Sequence, residues 1–158
     1  MTKELQESQS ERDVIFSRWR RLCRGQRTLS NLIGFHSRHK YQILAHDPEI
    51  YRDLGRLVAR GKELPIDELF PQYRQLLVRA MDSPITPGKH FNVLQHMAGY
   101  FKRHLAEDEK TSLHDVLEAY RNEEVSLSEP LLLIRWLAER YDLSYLVRQT
   151  YLSNTFSS

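Results

Sequence analysis

Apolar residues recur along this chain at three- and four-residue steps, the period of a helix face turned toward a core. From Glu11 a stripe runs through Ile15, Trp19 and Leu22, then meets Gln26 where an apolar residue is due, and Gly25 is placed to end that helix. The polar residues 1–10 are expected to be a flexible N-terminus. Thr28 or Ser30 can cap a second helix running to about Ala45, with Leu29, Leu32 and Ile33 at its start and Ile43 and Leu44 at its end. Asp47-Pro48 then resets the chain, Asp47 as N-cap and Pro48 at the first helical position. The helix 48–60 buries Ile50, Leu54, Leu57 and Val58, and Gly61 is placed to close it.

Residues 65–81 carry Leu69, Tyr73, Leu76, Leu77 and Ala80 at helical spacing, with Pro71 expected in the first turn or at a kink. The breaker 82–88 leads to Thr86 as cap of a helix expected to reach Leu105. Phe91, Leu94, Ala98, Phe101 and Leu105 form its apolar stripe. Lys89, Val93, His96, Tyr100 and Arg103 share a mostly polar face, with Asn92 and Gly99 at its margin. A glycine inside a helix costs about 1 kcal/mol relative to alanine, so Gly99 predicts close approach by another helix, or else by a ligand. Helices over 107–121, 128–140 and 142–152 complete the pattern, and no period-two alternation is long enough to demand a sheet. The expectation is an all-α protein, a single compact bundle of about seven to eight helices over residues 11–152, with a flexible C-terminus at 153–158.

Composition refines this picture in two places. The chain of 158 residues is 41% hydrophobic and 10% aromatic, which is that of a folded domain rather than a disordered one. Its net charge is only +2, yet residues 11–40 hold eight Arg/Lys against Glu11 and Asp13. That local excess predicts a basic patch on an otherwise balanced body, a footprint for an anionic partner. Cys23 is the single cysteine, so no intrachain disulfide or all-cysteine cluster can form. No signal peptide is visible and no apolar run approaches the ~20 residues of a membrane helix, so a cytoplasmic protein is expected.

Two segments concentrate the candidate chemistry. In the first, His36, His39, Ile43 and His46 follow one another at steps of three, four and three, which lines the three histidines along one helix face. A metal held by His36, His39 and His46 is a weak alternative, because the HExxH pattern and a nearby carboxylate are both missing. Histidines bonded to neighbouring helices are the simpler expectation, and no cofactor is expected. No phosphate-cradling glycine loop, nucleophile elbow or paired-carboxylate signature is present. Cys23 stands among arginines, but its place beside Leu22 predicts partial burial.

The second segment repeats the mixture, and together the two suit an RNA. Arg38, Lys40, Lys89, Lys102 and Arg103 can pair with phosphates. Tyr41, Tyr100 and the rings of His39, His90 and His96 can stack on unpaired bases, and Asn92 and Gln95 can bond base edges. Arginines 18, 20, 21, 24 and 27 offer planar forks to phosphate as well, or form a solvated face. Two other classes stay open. One is an enzyme on a small molecule or nucleotide, with a pocket lined by His36, His39 and His96. The other is a protein–protein adaptor, which an exposed Trp19 or Trp136 in an apolar patch would favour.

The stretches FHSRHKYQILAHDPEIYRDLGRLVA, KHFNVLQHMAGYFKRHLAEDEK and YLVRQTYL resemble the YbgA-like family, a bacterial domain of unknown function. The resemblance covers most of residues 28–152. Similar domains occur fused behind a thiouracil-desulfurase-type domain, whose cysteines carry an iron–sulfur cluster, and there the YbgA-like part is thought to bind tRNA. The residues that match are Phe35, His36, His39, Lys40, His46, Lys89, His90, Asn92, His96, Gly99, Tyr100 and Lys102, with Glu109-Lys110 and Tyr120-Arg121 further on. The chain departs from the family near Val125–Leu132, where only Pro130 stands in a usually proline-flanked stretch, and after the final YL pair, where Ser153-Asn154-Thr155 lacks proline. With no desulfurase-type domain ahead of residue 1 and one cysteine, desulfurization would require a separate partner protein. The resemblance therefore implies a non-catalytic RNA-binding module, most plausibly for tRNA, that acts beside a tRNA-modifying partner; it leaves the oligomeric state open.

Overall fold

A computed structural model describes residues 3–154, and they are all-α. The helices are α1 (Lys3–Arg24), α2 (Leu29–His46), α3 (Pro48–Ala59), α4 (Ile66–Asp82), α5 (Pro87–Tyr100), α6 (Glu107–Arg121), α7 (Ser128–Arg140), α8 (Ser144–Val147) and α9 (Thr150–Asn154). A single 3-10 turn, Gly61–Glu63, joins α3 to α4. No strand occurs among the described residues, and no helix among them is long and apolar enough to cross a membrane. Residues 155–158, most of the expected C-terminal tail, lie outside the described residues.

The helix starts follow side-chain chemistry. Thr28 accepts a bond from the Asn31 amide at 3.1 Å, Asp47 from Glu49 and Ile50 at 3.0 Å each, and Thr86 from Lys89 at 3.2 Å. Each cap satisfies amides that the first turn leaves without a carbonyl. Pro48 and Pro87 follow two of these caps at positions where a missing amide does no harm.

Four boundaries differ from expectation. α1 begins at Lys3, because good helix formers with bonds one turn apart, Lys3–Glu7 and Gln9–Asp13, extend it over the polar residues. α4 includes Pro71 beyond its first turn, five residues past its start, with the ring exposed to solvent. α5 stops at Tyr100, so Lys102 and Arg103 lie in the turn that follows rather than on the helix. The expected helix 142–152 is two short helices, α8 and α9, parted at Arg148-Gln149.

The chain divides into two compact units, one ending at Pro84 and one starting at Ile85. In the first, α2 packs on α1, α3 and α4, and α3 on α4. Trp19 is the centre of its core. Its indole stacks on Tyr73 at 5.3 Å and meets Phe35 at 5.4 Å and Phe70 at 5.6 Å. Ile15, Leu32, Ile43, Leu54, Leu69 and Leu77 close around these rings with no exposed surface. Gly61 is buried there, and a Cβ on it would run into the Leu29 side chain and come within 3.3 Å of Leu69.

In the second unit α5 packs on α6 and α7, α6 on α7, and α7 on α8. The buried side of α5 is His90, Val93, Leu94 and Met97, continued by Phe101 and Leu105. Phe91 and Ala98, expected in the stripe, are only partly buried, and Val93, expected on the polar face, is fully buried. Glu109 ties the start of α6 to the end of α7: it caps the Ala106 amide at 3.0 Å, accepts from the Tyr141 hydroxyl and pairs with Arg140 at 3.3 Å.

Because Trp19 contacts three other rings in a dense core, Trp19→Ala should destabilise the protein by about 3–5 kcal/mol. Exposed Ile33→Ser should change stability by less than about 0.5 kcal/mol. Urea unfolding of the two variants beside the parent checks both values.

Candidate nucleic-acid interface

A basic groove of the first unit lies between α1 and α2. Arg18 and Arg21 reach it from α1 and Arg38 from α2, with Ser30, Asn31 and Gly34 completing its rim and Phe35 and His39 its inner wall. Its volume is about 380 Å³. Burial, then the neighbouring Arg38 and Arg21 cations, hold the Arg18 guanidinium below its ordinary range. Three guanidinium groups that repel one another in a concave, partly desolvated place favour an anion that bridges them. Arg18 and Arg21 were visible in the sequence only as part of an arginine-rich helix face; the groove singles them out from Arg20 and Arg24.

The three histidines of α2 are structural and their rings diverge. His36 Nδ1 accepts from the Tyr73 hydroxyl at 2.9 Å, and burial pushes the Tyr73 pKa up so that it keeps its proton. His39 is buried against the Phe35 ring at 4.5 Å, and its Nδ1 donates to Gln42 Oε1 at 3.2 Å. Burial pushes both His36 and His39 down to about 4; Lys40 adds to the effect on His36, and Arg18 and Arg38 to that on His39, whose bond to Gln42 opposes it. His46 donates from Nδ1 to the Ser83 carbonyl at 2.8 Å, and its Nε2 faces Glu11 Oε1 at 3.2 Å.

Gln42 links these groups. Its amide donates to the same Glu11 oxygen at 2.8 Å. A continuous polar chain, His39–Gln42–Glu11–His46–Ser83, thus runs through the buried contact of α1, α2 and the end of α4. Glu11 is the residue that sequence reasoning missed. It lies four positions before Ile15, on the apolar stripe of α1, and a carboxylate on such a stripe must find partners inside. The rings do not converge on one point, and among the described residues no group of three or more His, Cys, Asp or Glu is placed to hold a metal.

The remaining expected contacts sort by exposure. Arg38 is exposed, whereas Lys40 is half-buried with its ammonium 5.5 Å from the Tyr41 ring centre. In the second unit Lys89 and Asn92 are half-buried, while His96, Tyr100, Lys102 and Arg103 are exposed. Tyr100 stacks on Tyr145 at 5.4 Å. His90 is not a surface ring: it is buried and its Nδ1 lies 2.6 Å from the Tyr151 hydroxyl. His39 is likewise unavailable for stacking on a base, although its edge lines the groove. Cys23 is half-buried, and burial pushes its thiol up against the opposing effect of Arg27 and Arg74.

The family model described as "Protein of unknown function (DUF1722)" matches residues 40–155. "Uncharacterized protein YbgA" of Escherichia coli (strain K12) is 36% identical over 125 residues, which cover 78% of this chain and 74% of that protein. No solved structure matches the chain. The chain belongs to this YbgA-like, DUF1722 family.

The buried neutral histidines make stability depend on pH in a definite direction. His36 and His39 have folded values below their unfolded value, so their contribution is fully present above about pH 6.5. As pH falls toward 4 the unfolded chain takes up protons that the folded one refuses, and stability drops by on the order of 3 kcal/mol for each ring. Urea unfolding between pH 7 and pH 4 should show this loss, and His39→Gln should make the slope shallower. Ring proton resonances of His36 and His39 that titrate near the free-histidine value would overturn the assignment.

Proposed function

We propose that this member of the DUF1722 family is a non-catalytic, cytoplasmic RNA-binding module whose ligand is tRNA and which acts with a separate tRNA-modifying or thiouridine-desulfurizing protein. The observation that carries the reading is the arginine groove of α1 and α2. Arg18, Arg21 and Arg38 crowd one concave site of about 380 Å³ rimmed by the hydroxyl and amide of Ser30 and Asn31. A bidentate guanidinium fork matches a phosphate better than any other common anion-binding side chain. Surface cations of the second unit, Lys102 and Arg103, supply further phosphate contacts, and exposed His96 and Tyr100 supply rings for unpaired bases. The choice of tRNA and of a desulfurase-type partner follows the family resemblance rather than the groove.

A second reading has one observation in its favour. Trp136 is 52% exposed beside Leu132, 65% exposed one turn earlier on α7, with the Arg140 guanidinium 5.3 Å over the indole. Such a pair suits a protein partner, and Trp19, the other tryptophan, is buried. Leu132→Ser with Trp136→Ser should leave RNA affinity unchanged under the first reading. Loss of a defined protein complex with RNA binding intact would favour the adaptor.

The direct test is anisotropy of labelled bulk tRNA titrated with protein across a salt series. Arg18→Glu with Arg38→Glu should weaken binding more than about tenfold and reduce the slope of log affinity against log salt by more than about 1. Arg56→Glu, at an exposed position of α3, should change affinity less than about twofold. Equal affinity and slope for the groove variant and the parent would sink the proposal.

A further inference from the structure

The second unit holds a concavity of different chemistry. It lies between α6 and the end of α5 with its following turn, and its volume is about 580 Å³. Leu105, Leu113, Leu117 and Ala98 make its floor. Lys102, Lys110 and His114 stand at its edge with the amide of Gln95, and no carboxylate lines it. Lys110 does hold Glu107 at 3.2 Å, but Glu107 is 92% exposed and such a pair is readily exchanged for another anion. Among the described residues Lys102 has no carboxylate partner.

Gly99 lies in the wall of this groove, one residue from the end of α5. Its φ is not positive, so the backbone does not require glycine. A Cβ there would meet no atom within 4 Å, so packing does not require it either. The helix contact that a mid-helix glycine predicts is therefore absent at this position. What the missing side chain does is lower the wall beside Leu105, Leu113 and Leu117, each of which shows only a narrow edge, 4–9% of its surface, to the groove.

An apolar floor with lysines at the edge and no acid selects an anion with an apolar body. The cleft is shallow and open, so a long alkyl chain would stay half in water, whereas a flat ring can lay one face on the leucines. Gln95 can offer both a donor and an acceptor to the edge of such a ring. We propose that the α5–α6 groove binds a nucleoside phosphate, its base on Leu105, Leu113 and Leu117 beside Gly99 and its phosphate toward Lys102 and Lys110. The same moiety can come from a free nucleotide or from an unpaired nucleotide of an RNA strand. The site shares no residue with the arginine groove; Lys102 is common only to the wider set of phosphate contacts in the RNA reading.

The test is an NMR titration of the full chain with the four ribonucleoside monophosphates, a short single-stranded oligoribonucleotide, inorganic phosphate and dodecanoate. Saturable shifts at the Gly99 amide and the Leu113 and Leu117 methyls with a mononucleotide identify a free-nucleotide site. The same shifts with the oligonucleotide only identify an RNA-strand site. Either supports the proposal, provided that Gly99→Leu weakens binding more than about tenfold while Arg18→Glu with Arg38→Glu leaves mononucleotide binding unchanged. Gly99→Ala should fold and still bind, and if Gly99→Leu fails to fold, Lys102→Glu with Lys110→Glu serves as the disabling variant. Unmoved leucine and glycine signals at about 10 mM nucleotide and saturating oligonucleotide would overturn it. So would shifts that inorganic phosphate or dodecanoate reproduces in full.

Discussion

The first unit depends on one buried carboxylate. The Glu11 side chain is 10% exposed, and a carboxylate so far from water is tolerable only when its oxygens are paired. Gln42 and His46 of α2 supply the partners, and His46 in turn holds the Ser83 carbonyl where α4 ends. This fixes the register of α1 against α2. Arg18 is seven residues beyond Glu11, two turns along the same side of the helix, so the register that buries Glu11 also brings Arg18 to the face of α2 that carries Arg38. The groove is a consequence of the core.

The same arrangement divides the work between histidine and arginine. His36 and His39 are neutral, because burial opposes their charge and the cations nearby, Lys40 at His36 and Arg18 and Arg38 at His39, add to it. Neutral rings are good fillers with one donor and one acceptor, and they are poor phosphate ligands. Arginine keeps its charge even where Arg18 sits, since a guanidinium remains protonated far above neutral pH. The positive potential of the groove therefore comes from guanidinium groups at its surface, while the histidines behind them hold the helices that present those groups. Asp47 adds to the support: one oxygen caps α3 and the other accepts from the Ser83 hydroxyl at 2.9 Å.

Helix identity and helix starts were legible because they are local. Thr28, Asp47-Pro48 and Thr86-Pro87 act through amides two or three residues away, and each caps the helix that the pattern assigns to it. Features that depend on tertiary context were less legible. Period alone left the buried side of α5 off by one position, about 100° around the helix, since the stripe through Phe91 and Ala98 has the same spacing as the one through His90 and Met97. Packing on α6 and α7 selected His90, Val93, Leu94 and Met97. Polar residues of the core were misjudged for a related reason. A count of metal ligands or phosphate contacts treats every histidine as available, whereas spacing from the apolar stripe would have turned His39, Gln42 and His46 inward together. The arginines of α1 carried no such signal; that Arg18 and Arg21 among the five line the groove is set by its packing against α2.

Glycine shows how far a residue type can be from its cause. The sequence reads Gly61 as a helix end and Gly99 as a helix interior, whereas both stand at helix ends, Gly61 after α3 and Gly99 one residue before α5 stops. Gly61 is buried where α3 meets α4 and has Leu29 and Leu69 against the place of its missing side chain, so any substituent must displace core atoms. Gly99 has open space in that direction. The first glycine is explained by the fold, because a larger residue would push two packed leucines apart. The second is not explained by the fold at all, and alanine there would strengthen the helix. Gly34 and Gly55 also face open space, so an open direction by itself assigns no ligand. At Gly99 that space is bounded by leucines and lysines, which is why the groove beside it is read as a ligand site rather than as a gap in the surface.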